Sequence, residues 1–314
     1  MTLTPEESRR IVYGAARAQG LDPTGAEPLQ PGHDHVYRLP HAGAVAKVHG
    51  PSTSRRDALR QRRAARWLRS KGVATPRPAG IYVNPIQCDS PLGPLQVTFA
   101  DDLGDTPTTP GQLGALLRKL HSLDSPDFEL PVFDPFKRVA DRIEALPAAV
   151  LPSRERTRLH RFLATARTAW QALEWPDHGG LLHGDVGPAT SILAPSGAPT
   201  LVDLETLSVG GPCLWDAAAI SWRRDVFGVP SREHAEFTAE YGIDASRYDG
   251  GRPYEVMSRI FALRGYLTAA EYALTEPDRQ SQADLRHSSV ADPLPPFPWN
   301  WSLDSRLPEP KPAP

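Results

Sequence analysis

Leu182-His183-Gly184-Asp185, followed 18 residues past that aspartate by the end of Leu201-Val202-Asp203, constrains this chain more than any other feature. An apolar run stops at a His-x-Asp turn, a short connection follows, and a second apolar run stops at an acid. The pattern reads as a strand, an exposed turn, a hairpin and a second buried strand. It places the carboxylates of Asp185 and Asp203 at neighbouring strand ends facing one cleft. Two carboxylates so placed can divide the work of phosphoryl transfer, one taking a hydroxyl proton and the other holding magnesium on a nucleotide.

The upstream sequence supplies what such a site needs. Ala44-Val45-Ala46-Lys47-Val48 reads as a strand, and a lysine there requires an anionic partner, for which nucleotide phosphates are suited. Residues 29–48 read as three strands separated by two turns; the first turn, 30–35, would cover those phosphates. Thr4-Pro5-Glu6-Glu7 predicts a capped helix over 5–18 that stops at Gly20. Residues 55–71 predict a second helix with Ala58, Leu59, Ala65 and Leu68 toward the sheet and Gly72 as its stop. Residues 79–83 and 95–99 predict two more strands, completing a five-stranded sheet. Beyond 106 the spacing predicts helices over 110–120, 135–146, 153–173, 214–222, 232–241 and 253–274, with the hairpin between 181 and 204 in their midst.

Composition narrows the remaining classes. A net charge of −2 over 314 residues offers no basic field for nucleic acid. Two cysteines, Cys88 and Cys213, exclude a disulfide framework and fit a reducing compartment. No apolar run approaches 18 residues and no leader pattern opens the chain, so a cytoplasmic protein without membrane contact is expected. The last stretch, 291–314, is proline-rich and reads as an extended tail, with Phe297, Trp299 and Trp301 able to pack back.

HGD at 183–185, LVDLE at 201–205 and GGPCLWDAA at 210–218, in that order behind a strand lysine and its helix, resemble the aminoglycoside and choline phosphotransferase-like kinases. The resemblance runs from about residue 35 to about 274. It implies an α+β, two-lobed protein-kinase-like fold. A small N-terminal lobe with a five-stranded sheet (1–100) and a hinge (101–106) would precede a larger, mainly helical catalytic lobe (107–290) and the tail. It further implies ATP or GTP and Mg2+ as cofactors and a hydroxyl-bearing small molecule as acceptor. Asp185 would be the catalytic carboxylate, Asp203 the metal ligand, Lys47 the phosphate ligand, and His183 and Asp216 supports of the catalytic loop. Glu205, two residues beyond Asp203, would add a water-mediated metal contact or be a solvated charge.

Two positions depart from the family pattern. Thr190 stands where an asparagine ligates a second magnesium, and no asparagine lies between Asp185 and Asp203. Gln61 stands on the small-lobe helix where a glutamate pairs with the strand lysine; Asp57, one turn earlier, is the alternative partner. Three readings follow: an active small-molecule kinase with an altered metal site, a non-catalytic relative binding a nucleotide, peptide or partner, and a metal-dependent hydrolase using His183, Asp185 and Asp203. For the first, an antibiotic, as in resistance, an amino sugar or a related alcohol is the expected acceptor. Nine acids between 231 and 280 are compatible with a cationic one. Trp222, Tyr248, Tyr254 and Tyr266 could line its pocket or belong to the core.

Overall fold

The computed structural model describes residues 3–30, 35–81, 84–175, 179–274 and 276–302. The chain forms two compact units, Met1–Thr108 with Ala189–Glu205, and Thr109–Pro188 with Thr206–Pro314.

In the first unit, helix α1 (Pro5–Ala18) opens at the Thr4 cap. The Thr4 hydroxyl accepts from the Glu7 N–H at 3.2 Å, and the Glu7 carboxylate accepts from the Thr4 N–H at 2.8 Å. Ile11, Val12, Ala15 and Ala16, spaced as one helical stripe, bury in a core shared with Tyr37, Leu39, Val97 and Phe99. Strands β1 (Glu27–Gln30), β2 (His35–Leu39), β3 (Ala44–Val48), β4 (Ile86–Cys88) and β5 (Leu95–Asp101) form an antiparallel sheet ordered β1-β2-β3-β5-β4. Residues 31–34, most of the turn expected over the phosphates, lie outside the described residues.

Helix α2 (Arg55–Ser70) starts at Ser54, and its buried face is Ala58, Ala64 and Leu68. Ala64 thus takes the place expected for Ala65, and Leu59 is exposed at 42%. The strand expected over 79–83 is also corrected. Ala79 gives its N–H to the Phe99 carbonyl at 3.1 Å. Asn84 then closes the Phe99 backbone with its side chain, donating to the carbonyl at 2.8 Å and accepting from the N–H at 3.3 Å. A side-chain amide thereby takes the place of strand backbone, and the fourth strand begins only at Ile86; residues 82 and 83 are outside the described set.

The second unit carries α3 (Pro110–His121), α4 (Lys137–Ala145), α5 (Ser153–Gln171), α6 (Leu214–Phe227), α7 (Ser231–Tyr241), α8 (Arg252–Ala273) and α9 (Gln280–Ser289). Helix α6 runs five residues past the expected end and stops at Gly228, in the left-handed conformation at φ 67°; α9 had no sequence expectation. The core centres on Trp215, 4.4 Å between ring centroids from Phe261 of α8, and on Trp222, 5.3 Å from Trp301. Trp222, Tyr254 and Tyr266 are buried, and Tyr254 donates to Asp225 at 2.5 Å, so they serve the core. The expected extended tail is packed through Ser302: Trp299 and Trp301 are buried, and the Trp301 N–H reaches the Val226 carbonyl at 3.0 Å. Their large apolar area explains this, since burying an indole outweighs the ordering of a proline-restricted segment. Residues 303–314 are outside the described set. No helix among the described residues is long and apolar enough to cross a membrane.

Four short strands cross the motif region: β6 (Gly180–Leu182), β7 (Ser191–Leu193), β8 (Pro199–Leu201) and β9 (Ser208–Gly211). β6 pairs with β9, and β7 with β8. The strands preceding Asp185 and Asp203 therefore belong to different two-stranded sheets and are not the neighbours expected. The β7–β8 hairpin groups with the first unit, although its sequence lies inside the expected second lobe. Leu201 N–H reaches the Ala74 carbonyl at 2.8 Å, and Leu193 N–H reaches that of Thr106 at 2.9 Å.

Candidate active site

Alternation along β3 sorts its side chains. Ala44, Ala46 and Val48 face the core, leaving Val45 and Lys47 on the other face. The Lys47 ammonium lies 3.1 Å from Asp203 Oδ1 and 2.5 Å from Glu205 Oε1. His49, buried and two residues along, hydrogen-bonds Thr98 Oγ1 through Nε2 at 2.9 Å and brings Nδ1 to 3.4 Å from Glu205 Oε1. Asp203 holds φ at 57°, a left-handed conformation that non-glycine residues rarely adopt. Such strain persists only where surrounding contacts impose it, and it concentrates at working sites. Here it turns the chain out of β8 and into the single helical turn Leu204–Thr206, which returns Glu205 toward Lys47.

The expected lysine partners on α2 are corrected. The Gln61 side chain, mid-way along α2, makes no hydrogen bond among the described residues. Asp57 accepts from the Ser54 hydroxyl at 2.6 Å and pairs with Arg60 at 2.7 Å, so its charge is spent on capping the helix. Desolvation pushes the Asp57 carboxyl up, but Ser54 and Arg60 outweigh it and hold it below the usual carboxylate range. Thr190 is brought to the Asp203 end of the hairpin: its carbonyl accepts from the Val202 N–H at 2.9 Å, one step beyond the Ser191–Leu201 pair.

In the second unit, the loop carrying Asp185 is held through its backbone. Asp216, at 0% exposure, accepts from the His183 N–H at 2.7 Å, the Gly184 N–H at 2.9 Å and His121 Nε2 at 3.0 Å. Thr206 Oγ1 donates to the His183 carbonyl at 2.7 Å, and Trp215 Nε1 to that of Gly184 at 3.0 Å. His183 is buried, not exposed as the turn reading expected, while Asp185 remains open. Gly184 is required: φ is 87°, and an added Cβ would lie 2.7 Å from the Thr206 carbonyl oxygen.

Asp185 Oδ1 takes a hydrogen bond from Arg264 Nη2 of α8 at 2.8 Å. Desolvation raises the Asp185 carboxyl; Arg264, His183 and Arg138 more than offset it, leaving it below the usual carboxylate range. Sequence reasoning missed His49, His121 and Arg264, because each acts on a residue distant in sequence. An arginine within the apolar stretch Phe261-Ala262-Leu263-Arg264 was the one usable signal for the last.

As to metals, no three His, Cys, Asp or Glu gather around one point among the described residues. Asp203 and Glu205 do share one cation, the Lys47 ammonium, and both are hard oxygen donors of the kind magnesium takes.

Residues 25–257 match the APH family, described as a phosphotransferase enzyme family. Among solved structures, a choline/ethanolamine kinase family protein from Mesorhizobium loti is 20% identical with a TM-score of 0.58, over 91% of this chain and 92% of that one. Choline kinase LicA from Streptococcus pneumoniae is 14% identical at 0.61, over 89% and 98%. Aminoglycoside phosphotransferase APH(3'')-Id from Streptomyces rimosus is 20% identical at 0.53, over 78% and 96%. No curated protein sequence matches. The α+β, protein-kinase-like fold expected from the sequence is the observed one.

Proposed function

This chain belongs to the phosphotransferase enzyme family, and on that premise we propose that it moves the γ-phosphate of ATP, or of GTP, to a hydroxyl of a small molecule. The observation that carries the reading is Lys47 on β3 held by both Asp203 and Glu205. A lysine fixed by two carboxylates keeps its position for the nucleotide phosphates. Asp203 and Glu205 are the residues that would hold magnesium, with Thr190 near them across the hairpin; the ion would draw charge from the phosphate oxygens. Asp185 orients the acceptor hydroxyl and takes its proton as that oxygen bonds to the γ-phosphorus and the bond to the β-phosphate oxygen breaks, releasing ADP.

The non-catalytic alternative drew on Gln61 and Thr190. Glu205 weakens the first ground by supplying a carboxylate to the lysine from another element. Cys88 and Cys213 are both free thiols, which fits the reducing cytoplasm where the nucleotide is supplied.

The amino-sugar expectation loses part of the support it drew from the acids of 231–280. Glu240 faces Arg118, Asp244 faces Arg247, Asp249 faces Arg252, Glu255 faces Arg259, Glu271 faces Arg142 and Glu276 faces Arg279. Six of the nine charges are thus met locally, and Glu233, Glu236 and Asp278 have no ion-pair partner among the described residues.

Calorimetric titration with a non-hydrolysable ATP analogue, with and without magnesium, tests the reading. Magnesium-dependent binding by the wild type that Asp203→Ala abolishes is expected, together with loss of turnover in Asp185→Asn. A wild type that binds no nucleotide would overturn it.

A further inference from the structure

The charge around Asp185 bears on the acceptor. Arg264 gives one N–H to Asp185 at 2.8 Å, while its Nε and Nη1 have no protein acceptor among the described residues. Its guanidinium lies 5.7 Å from the centroid of the buried Trp215 ring, which holds it beside the loop, and its side chain is 26% exposed. Arg138, exposed on α4 and without an ion-pair partner among the described residues, adds positive charge to the same surroundings. A candidate base for a cationic acceptor would be expected among acids and aromatic faces. Asp185 instead sits among cations, and Glu271, on the same helix as Arg264, is already taken by Arg142 in a two-pronged pair at 2.8 Å.

Resting on the phosphotransferase reading, we infer that the acceptor is a hydroxyl compound bearing an oxyanion, a carboxylate or phosphate, and that Arg264 binds that group. The free donors of a planar guanidinium suit such a partner. Binding has a second consequence. Arg264 occupies an Asp185 oxygen in the resting chain; an acceptor oxyanion competes for the guanidinium and frees that oxygen for the hydroxyl proton. An aminoglycoside or choline-like acceptor would bring its cation against Arg264 and Arg138 and be repelled.

The test uses triads matched at a single carbon, which bears a carboxylate, a hydroxymethyl or an aminomethyl group: glucuronate, glucose and 6-amino-6-deoxyglucose, then glycerate, glycerol and 3-aminopropane-1,2-diol. ADP formation from MgATP is measured for the wild type, Arg264→Gln and Arg264→Lys, with ATP-analogue binding and thermal melting recorded for each. The acid of each triad is expected to exceed the amine by about tenfold or more. Arg264→Gln should erase that preference while still melting cooperatively and binding the analogue, and Arg264→Lys should keep part of it. Preference for the amine or the neutral compound overturns the inference. So does an acid preference that survives Arg264→Gln, or no response to either acid by a chain that binds the analogue; in these cases the phosphotransferase reading stands. Absence of analogue binding overturns that reading and the inference with it.

Discussion

Glu205 Oε1 lies 2.5 Å from the Lys47 ammonium, so the lysine that sequence comparison leaves opposite a glutamine is paired after all. The carboxylate comes from the turn after Asp203, not from α2. Glu205→Gln should therefore raise the nucleotide KM and lower kcat, about 10- to 100-fold together in kcat/KM, because a lysine displaced by an ångström loses most of its benefit. Adding Gln61→Glu to that variant should return part of the activity by supplying the carboxylate from the helix. Steady-state kinetics of the two variants decide this; a double variant no better than the single one would place the role of Glu205 elsewhere.

Asp216→Ala should destabilise the chain strongly. The substitution strands two buried backbone donors, the N–H groups of His183 and Gly184, and removes the His121 partner. A loss of about 3–5 kcal/mol in urea-denaturation free energy is expected for a buried charge network broken at its centre. Asp216→Asn, which keeps one acceptor, should lose less.

Gly184→Ala should fold with a lower Tm and little activity. The left-handed backbone costs a side-chain-bearing residue about 1–2 kcal/mol, and the added methyl meets the Thr206 carbonyl at 2.7 Å. Relief of that contact must move the loop that carries Asp185. Melting and turnover measured together separate this outcome from simple unfolding.

The pH profile of kcat/KM reports the field on Asp185. In the wild type, desolvation raises this carboxyl while Arg264, His183 and Arg138 more than offset it, so its basic form persists below the usual carboxylate range. Arg264→Gln removes the strongest opposing charge and leaves desolvation less opposed. The acid limb should then move to higher pH; an unmoved limb would show that Arg264 does not set the ionisation of the base.

What could be read in the sequence was whatever local physics fixes. The Thr4 cap, the alternation that puts Lys47 opposite the core face of β3, and the ordered acids 185, 203 and 216 all depend on neighbours within a few residues. That was enough for the fold class and for most helices. It failed where a side chain stood in for backbone, as Asn84 does at Phe99; in the proline-rich stretch the extended reading gave way to the packing-back it had allowed for Trp299 and Trp301.

The pairing of charges was decided by the tertiary structure alone. On paper Asp57 is the alternative partner for Lys47, and Glu205 is a metal contact or a solvated charge. Asp57 is spent on Ser54 and Arg60, whereas the left-handed Asp203 turns Glu205 back to the lysine. Arg264 reaches Asp185 across 79 residues of sequence. Ion pairs fall off over a few ångströms and carry no periodicity, so the sequence determined which charges the chain owns, and only folding determined which of them meet.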